Sequence, residues 1–333
     1  MNILVTGGCG FIGSHCVVEL LNANYDVVVI DDFSNSDASV IDSIKTITSK
    51  EFKFYEGDVK DAILLDKVFT DNKIDAVILF AGYKAVGESV AKPLMYYENN
   101  IGCAIALCKA MDKYNCRQLI FSSSATVYGE PQYLPLDEKH SLSTTNPYGS
   151  TKLMIEDILR DLYASDNTWN ISILRYFNPI GAHESGLIGE NPKDIPNNLM
   201  PFIIKVASNQ LECLSVFGDD YDTEDGTGVR DYIHVYDLVI GHLKAIDVNK
   251  GKKGVFIYNL GTGIGYSVFD IINTFNKVND IDINYKVVSR RSGDIAINYA
   301  DTTKAYEELG FKASKTIEDM CRDSYNFAIK KFK

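Results

Sequence analysis

Short, almost entirely apolar runs alternate with helix-like segments along the first half of the chain. Runs rich in Val, Ile and Leu are typical of strands buried on both faces of a parallel sheet. They occupy residues 3–6, 27–31, 52–55, 76–80, 119–123 and 171–175. Segments such as 14–22 and 101–114 lie between these runs and predict crossover helices. The alternation therefore predicts an α/β fold with a doubly wound parallel sheet.

The pattern changes after about residue 178. A loop-rich stretch at 183–201 carries Gly, Pro and Asn, and shorter elements follow it, with a terminal helix near 317–332. We expect residues 1–180 to form the first domain, and the apolar segment 231–262 to pack back on it. Residues 181–333 are then expected to form a smaller α+β lobe.

Composition narrows the class of protein. With 333 residues, 46% of them hydrophobic, the chain can bury a large core. Its net charge of −12 argues against a nucleic-acid or acidic-membrane partner. Its seven cysteines include no Cys-x-x-Cys pair, which indicates free thiols in a reducing compartment. Because a membrane-length apolar run and the basic start of a signal peptide are both missing, we expect a soluble cytoplasmic protein.

Three glycines directly follow the first apolar run. They are Gly7, Gly10 and Gly13, in Thr-Gly-Gly-Cys-Gly-Phe-Ile-Gly (6–13). This spacing gives one glycine for a tight turn, one for close approach to a pyrophosphate and one for helix–strand packing. The N–H groups at the start of the following helix can bind phosphate oxygens. The strand–loop–helix context therefore predicts a Rossmann-type dinucleotide site.

Asp31 ends the second run, at about the 20-residue distance from the loop that this motif requires. A carboxylate there hydrogen-bonds the adenine-side ribose and repels a 2′-phosphate, which favours NAD over NADP. Alternatively, Asp31 merely begins the turn Asp-Asp-Phe-Ser-Asn (31–35). Asp58, after the third run, is a candidate adenine contact.

Tyr148 and Lys152 stand four residues apart in Asn-Pro-Tyr-Gly-Ser-Thr-Lys (146–152). Asn146 and Pro147 predict a helix start, so both side chains share one helix face. A nearby ammonium lowers the pKa of a phenol from its ordinary value of about 10. We expect Lys152 to lower the pKa of Tyr148, making it a base for oxidation at an alcohol carbon.

Ser124 lies at the carboxyl end of the fifth run, in Ser-Ser-Ser-Ala-Thr-Val-Tyr-Gly (122–129). Ligands bind at that edge of an open parallel sheet. We expect the Ser124 hydroxyl to hydrogen-bond a substrate hydroxyl and to pass its proton toward Tyr148. Without Tyr148 and Lys152, a serine that caps the strand end would be the simpler interpretation.

Further polar residues suggest a diphosphate ligand. Arg230 and Arg291 stand in acidic or neutral contexts, and guanidinium groups suit diphosphate oxygens. Asn178 and Asn198 are either substrate contacts or turn residues, and the sequence leaves both open. The five histidines show no metal-ligand spacing, so no metal is assigned.

Motifs along almost the whole chain carry a family resemblance. They lie at 6–15, 80–89, 122–129, 147–152, 174–182, 195–201, 223–235 and 290–294. The chain resembles the extended short-chain dehydrogenase/reductase family, and within it the branch that epimerises UDP-galactose and UDP-glucose at C4 in galactose metabolism. Segments 84–88 and 196–201 are typical of this branch.

The resemblance implies an isomerase that holds NAD tightly and regenerates it in each turnover. Tyr148 would act as base on the sugar 4-hydroxyl, assisted by Ser124, while hydride leaves C4. Lys152 would also bind the nicotinamide ribose. The 4-keto sugar, anchored through UDP, would turn and be reduced on its other face. Relatives are usually homodimers, and the first domain would bind NAD while the lobe binds the UDP-sugar.

Motif position also implies the individual contacts. Those to NAD are Gly7, Gly10, Phe11, Ile12, Gly13, Asp31, Asp32, Phe33, Ser34, Asn35, Ser36, Asp58, Val59, Phe80, Ala81, Gly82, Tyr83, Lys84, Asn99, Ser124, Tyr148, Lys152 and Phe177. Those to the UDP-sugar are Ser124, Tyr148, Asn178, Asn198, Leu199, Ser215, Val216, Phe217, Arg230, Arg291, Asp294 and Asn298.

Related enzymes are the main alternatives. Sugar-nucleotide 4,6-dehydratases resemble this chain but carry an Asp-Glu acid–base pair just after the active-site Ser or Thr. Ala125 and Thr126 occupy those positions here, so elimination of water lacks its acid. UDP-glucuronate decarboxylases tend to carry a Glu near the position of Thr126, so this chain does not match that class of enzyme either. A reductase with exchangeable cofactor stays open, whereas non-catalytic dinucleotide sensors typically lose the Tyr-x-x-x-Lys pair.

Asn298 bears on substrate range. Some family members carry a bulky tyrosine there, beside the 2-position of the sugar. The smaller residue leaves room for an N-acetyl group, so UDP-GlcNAc and UDP-GalNAc are hypothesised as further substrates. The neighbouring Tyr299 can partly refill that space, which leaves the hypothesis open.

Overall fold

A computed structural model describes residues 1–193, 198–291 and 293–332. The motif residues Ile195, Pro196, Asn197 and Ser292 lie outside this range. In chain order the strands are β1 (Asn2–Thr6), β2 (Asp26–Asp31), β3 (Lys53–Glu56), β4 (Ala76–Leu79), β5 (Gln118–Ser124), β6 (Asn170–Tyr176), β7 (Asn178–Ile180), β8 (Leu214–Phe217), β9 (Val229–His234), β10 (Gly254–Leu260), β11 (Gly265–Ser267), β12 (Tyr285–Val288) and β13 (Ile297–Asn298).

The helices pack around these strands. In chain order they are α1 (Phe11–Asn22), α2 (Ser39–Thr48), α3 (Ala62–Asp71), α4 (Val86–Ala91), α5 (Pro93–Tyr96), α6 (Gly102–Lys113), α7 (Pro147–Ser165), α8 (Leu199–Ala207), α9 (Val235–Asn249), α10 (Val268–Asn279), α11 (Thr303–Leu309) and α12 (Ile317–Phe332). A π-helical turn (Tyr97–Ile101) joins α5 to α6, and a 3₁₀ turn (Ala125–Tyr128) follows β5. No helix in the described part of the chain is long and apolar enough to cross a membrane.

Seven parallel strands form the central sheet in the order β10-β6-β5-β4-β1-β2-β3. The predicted doubly wound parallel sheet is confirmed, and each predicted run lies within a residue or two of a strand. The order reverses beside β1, which pairs with β2 on one side and β4 on the other. A crevice opens at such a point, because the loops after the two neighbouring strands lead to opposite faces of the sheet.

Both faces of the sheet are covered by helices. Ile3 and Val5 of β1 face a core that includes residues of α1 and α9. Leu4, between them, faces a second core with residues of α3, α6 and α7. Because neighbouring strand residues point to opposite faces, burial of both faces requires the unbroken apolar runs seen in the sequence.

The remaining strands form a smaller lobe. In it β9 pairs with β7 and β13 in parallel and with β11 in antiparallel orientation, while β8 and β12 form a separate parallel pair. Its core includes Ile203 of α8, Phe275 of α10 and Met320 of α12. Between β9 and β11 of this lobe, the chain returns to the central sheet, where β10 pairs with β6.

Candidate functional site

A cleft of about 1480 Å³ lies at the carboxyl ends of the central strands and extends to the lobe. Pockets for single drug-sized ligands are typically about 300–1,000 Å³, so this cleft has room for a dinucleotide and a second nucleotide. Every residue named above as a contact lines it except Phe33. The Phe33 ring instead packs against Phe54, with ring centroids 5.3 Å apart.

The glycine loop after β1 leaves no space for side chains. Gly7 has a φ of +69°, and a Cβ on it would lie 2.9 Å from the Ala81 nitrogen. A Cβ on Gly13 would lie 2.1 Å from the Gly7 oxygen. Gly10 is the N-cap of α1 and has no side chain to cover the first N–H groups of that helix. The loop therefore forms a cradle suited to a pyrophosphate.

Asp31 joins the glycine loop to the end of β2. Its Oδ2 accepts a hydrogen bond from the Cys9 N–H at 2.9 Å. Its Oδ1 accepts from the Phe33 N–H at 2.9 Å and from the Ser36 hydroxyl at 2.7 Å. Asp31 thus begins a turn and also presents a carboxylate to the cleft, so the two interpretations of this residue are compatible.

Helix α7 begins as its sequence predicts. The Asn146 side chain accepts from the Gly149 N–H at 2.8 Å, and Pro147 occupies the first turn. The Ser89 hydroxyl oxygen accepts from the Tyr148 N–H at 3.1 Å. Tyr148 and Lys152 both line the cleft, with the Lys152 Nζ 5.8 Å from the centroid of the Tyr148 ring.

The pKa of Tyr148 corrects one expectation. Burial raises the pKa of the phenol to about 12, and a hydrogen bond with Ser124 opposes the rise. The Lys152 ammonium instead donates to the Ser122 carbonyl oxygen at 2.7 Å. Burial lowers the pKa of Lys152 itself to about 8. In the protein alone the pKa of Tyr148 is therefore raised, against the expectation that it is lowered, because desolvation of the phenol dominates.

Asn100 is a functional candidate that the sequence reasoning missed. Its side chain is buried and exchanges hydrogen bonds with the backbone of Tyr83, at 2.8 and 3.0 Å. It also donates to the Thr151 hydroxyl at 3.0 Å. Asn100 thus ties the loop after β4 to the helix that carries Tyr148. The sequence offers only a second asparagine beside Asn99 as a signal. The π-helical turn that contains both, of a kind often found at functional sites, is visible only in the structure.

The lobe brings the two predicted arginines to the same cleft. Arg230 donates to the backbone oxygens of Val229 at 2.8 Å and Ala296 at 3.3 Å. Within the described ranges it forms no ion pair with a carboxylate. Arg291 pairs with Asp294 at 2.9 Å, and its guanidinium carbon lies 4.8 Å from the centroid of the Phe217 ring. These cations are placed to meet an anionic ligand between them.

Asn298 lines the cleft from β13 and is only 8% exposed. Its side-chain oxygen is buried and accepts no hydrogen bond from the described residues. Tyr299 is not among the lining residues, and its ring lies near Gly265. The tyrosine ring therefore lies outside the cleft lining and does not refill the space beside Asn298.

Over the residues that the structure describes, no group of three or more His, Cys, Asp or Glu side chains is placed to hold a metal ion. The geometry instead unites a dinucleotide cradle, a Tyr–Lys–Ser group and two arginines.

Comparison with known proteins agrees with this geometry. A curated UDP-glucose 4-epimerase from Bacillus subtilis (strain 168) is 55% identical over 327 residues, covering 98% of this chain and 96% of the relative. The enzyme of the same name from Pasteurella multocida (strain Pm70) is 56% identical and covers 98% and 97%. The chain belongs to the UDP-glucose 4-epimerase family.

Solved structures of this family have the same fold. The UDP-glucose 4-epimerase of Bifidobacterium longum, crystallised with NAD⁺ and UDP, matches with a TM-score of 0.97. It is 54% identical, and the match covers 99% of both chains. A family model described as GDP-mannose 4,6 dehydratase also matches residues 4–324. That match agrees with the shared fold, but Ala125 and Thr126 lack the carboxyl groups expected of a dehydratase.

Proposed function

We propose that this chain interconverts UDP-galactose and UDP-glucose by oxidising and re-reducing sugar C4 with bound NAD. The observation that carries the proposal is the convergence of Tyr148, Lys152 and Ser124 with the glycine cradle and two arginines in one cleft. Family membership supports the same reaction, since relatives above 50% identity are UDP-glucose 4-epimerases.

The residues of the first domain fit NAD. The cradle of Gly7, Gly10 and Gly13 admits a pyrophosphate, and Asp31 disfavours a 2′-phosphate on the adenine-side ribose. We propose that the other predicted cofactor contacts in the cleft complete this site, and that residues 1–180 with 231–262 form the NAD-binding domain, apart from β7 and β9, which pair within the lobe. Bound NAD would supply a hydride acceptor and donor beside sugar C4, and its tight retention would let each turnover restore it.

The residues of the lobe, 181–333, fit the UDP-sugar. Arg230 and Arg291 would bind the diphosphate. Asn198 of the lobe, together with Asn178 just before it, would hold the sugar-nucleotide. Strand β8 also lines the cleft and would contact the nucleoside through Ser215, Val216 and Phe217. Leu199 would close the pocket. An anchor at the diphosphate leaves the sugar ring free to turn.

Tyr148 would move the proton in both half-reactions. It takes the proton of the 4-hydroxyl as C4 is oxidised, and Ser124 hydrogen-bonds the same oxygen. Because burial raises the Tyr148 pKa to about 12, the phenolate needs a nearby positive charge. Protonated Lys152 and oxidised cofactor would both supply one. After the keto sugar turns, hydride would return to the opposite face of C4 and invert it, while Tyr148 would return the proton to the 4-oxygen, so no net oxidation results.

Incubation of the purified protein with UDP-galactose and no added cofactor tests the reaction. NMR should show UDP-glucose accumulating to an equilibrium while the absorbance of reduced cofactor does not build up. A stoichiometric rise of reduced cofactor would support a reductase or dehydrogenase instead. A 4-keto-6-deoxy product would support a dehydratase.

The space beside Asn298 supports a wider substrate range that includes UDP-GlcNAc and UDP-GalNAc. Its amide can donate to an acetyl oxygen, and its unpartnered Oδ1 can accept from the acetamide N–H. Asn298→Tyr should abolish epimerisation of the N-acetylated sugars and spare UDP-galactose. Lack of activity on N-acetylated sugars in the wild type would contradict this extension and leave the main reaction intact.

A homodimer and a cytoplasmic location complete the proposal. Val90, Leu94 and Met154 expose apolar side chains on the neighbouring helices α4, α5 and α7, with exposed fractions of 63%, 81% and 44%. Exposed apolar clusters on helices are typical of subunit interfaces. Seven free thiols, six of them buried, fit a reducing compartment.

A further inference from the structure

One residue, Thr126, donates both of the hydrogen bonds that the Ser124 hydroxyl oxygen accepts. Ser124 ends β5 and caps the 3₁₀ turn, accepting a hydrogen bond from the Thr126 N–H at 3.2 Å. The Thr126 hydroxyl also donates to the Ser124 Oγ, at 3.0 Å. A serine hydroxyl has two acceptor lone pairs and one proton. With both lone pairs engaged by Thr126, the Ser124 proton is left to be donated to another oxygen.

The available acceptor lies on the cleft side. Ser124, Thr126 and Tyr148 all line the cleft, and Ser124 is the polar group that opposes the rise in the pKa of the Tyr148 phenol. Because Thr126 engages both lone pairs of the Ser124 oxygen, Ser124 can meet the Tyr148 phenol or the substrate 4-oxygen only as a hydrogen-bond donor.

Packing holds Thr126 in this position. Gly149, in the first turn of α7, lies so close that a Cβ on it would be 3.2 Å from the Thr126 backbone oxygen and 3.3 Å from its Oγ1. The turn that carries Tyr148 is thus packed directly on Thr126. The side chain has little freedom to direct its hydroxyl elsewhere.

We propose that Thr126 is a positioning residue for the epimerase reaction, which it serves by fixing Ser124 as a hydrogen-bond donor toward Tyr148 and the substrate 4-oxygen. The inference rests on the proposed function. Dehydratases carry a carboxyl group near this position, and the inference assigns the threonine found here a function of its own. Thr126 itself is assigned no contact with the reacting atoms.

Two variants separate the hydroxyl from the shape of the side chain. Thr126→Val keeps the branched shape and removes the donor, whereas Thr126→Ser keeps the donor. Thr126→Val should lower kcat for UDP-galactose about 5- to 10-fold, the scale of one lost hydrogen bond, with KM and NAD content unchanged. Thr126→Ser should restore most of the loss. Full kcat in Thr126→Val would overturn the proposal.

A double-mutant cycle tests whether Thr126 acts through Ser124. In a Ser124→Ala background, Thr126→Val should cause no further loss of kcat, because the group that it orients is gone. Equal losses in both backgrounds would show an independent role and contradict the proposal. Ser143→Ala is a matched control, since its hydroxyl bonds the Tyr128 oxygen of the same turn at 3.3 Å without contacting Ser124.

The outcomes remain distinct from those that test the reaction itself. Wild-type protein that fails to convert UDP-galactose would contradict the proposed function. Active wild type together with an unimpaired Thr126→Val variant would contradict only the role of Thr126.

Discussion

Burial decides the chemistry of the two central side chains, Tyr148 and Lys152. Burial favours the neutral form of both groups. It raises the pKa of the Tyr148 phenol to about 12 and lowers the pKa of the Lys152 amine to about 8. Their spacing in the sequence correctly predicts one helix face and one cleft. It does not predict the desolvation, which depends on residues distant in the chain that close over the helix. The protein alone therefore holds the base in its neutral form, and charge brought by the cofactor becomes part of the mechanism.

Tyr148→Phe removes the proton carrier and changes little else. We expect binding of NAD and UDP to stay nearly normal and turnover of UDP-galactose to fall by about 10²–10⁴-fold. Cofactor absorbance, calorimetric binding of UDP and NMR turnover measure the three quantities. Retention of full activity would remove Tyr148 from its role as base and acid.

Lys152 should reduce the stability of the cofactor-free protein. Between pH 8 and about 10.4 the unfolded chain holds one more proton than the native state, so stability rises with pH across that window. Lys152→Met should therefore raise the free energy of unfolding by about 1–3 kcal/mol at pH 7. The gain should shrink as the pH approaches 10.

Denaturant unfolding of cofactor-free protein at several pH values measures this effect. Lys109→Met, at an exposed position of α6, is the matched control for loss of one positive charge and should show little change. A destabilised Lys152→Met variant would mean that the bond to the Ser122 oxygen outweighs the cost of burying the amine.

At the scale of elements, a buried ion pair fixes α7 against the sheet. Glu156 of α7 is fully buried and accepts from Arg175 of β6 at 2.7 and 3.0 Å. It also accepts from the Ser123 hydroxyl of β5 at 2.6 Å. Glu156 lies one turn beyond Lys152, and Ser123 precedes Ser124. The same contacts therefore hold both the helix and the strand that carry the catalytic group.

Glu156→Gln leaves the buried guanidinium of Arg175 without its countercharge. We expect the free energy of unfolding to fall by about 3–5 kcal/mol at pH 7. Because the pKa of Glu156 is held below its usual value, its contribution is present at neutral pH and is lost as the pH falls through that lowered value. The difference between wild type and variant should accordingly shrink in acid.

Asp157→Asn is the matched control on the next residue of the same helix. Its carboxylate pairs with Arg160 at 2.7 Å but is 63% exposed, so it should cost under about 1 kcal/mol. Similar losses for both variants would show that burial does not set the strength of the Glu156 pair.

Elements differ in how far the sequence predicts them. Apolar runs, the glycine loop and the Asn-Pro start of α7 have local causes, so their positions follow from local patterns. The π-helical turn and Asn100 have no such pattern, because their hydrogen bonds join Tyr83 and Thr151 across the fold. The pairing of Glu156 with Arg175 likewise depends on long-range packing that a single sequence does not reveal.

At the scale of the whole molecule, the chain leaves the central sheet after β6 and returns to it with β10. This path places the cofactor cradle and the arginine-bearing lobe on opposite sides of one cleft. The parallel sheet was predictable from the alternation of apolar runs with helix-like segments. The three-way pairing of β7, β11 and β13 around β9 was not, because these strands are only two or three residues long.

The proposed dimer makes a prediction about size in solution. Wild type should elute with about twice the 37.1 kDa mass of one chain, and Leu94→Asp should shift it toward the monomer. Light scattering after gel filtration measures both. Ile63→Asp is the control, since Ile63 is similarly exposed, at 83%, but lies on α3. Equal effects of the two variants, or a monomeric wild type, would contradict an interface at α5.

In the proposed reaction, the hydrogen removed from sugar C4 returns to C4 within one cleft. Epimerisation of UDP-galactose in D₂O, followed by NMR of the product, tests it most directly. We expect UDP-glucose that retains protium at C4, because the hydrogen travels as hydride and does not exchange with water. Deuterium at C4 of the product would show a route through solvent and contradict the proposed hydride transfer.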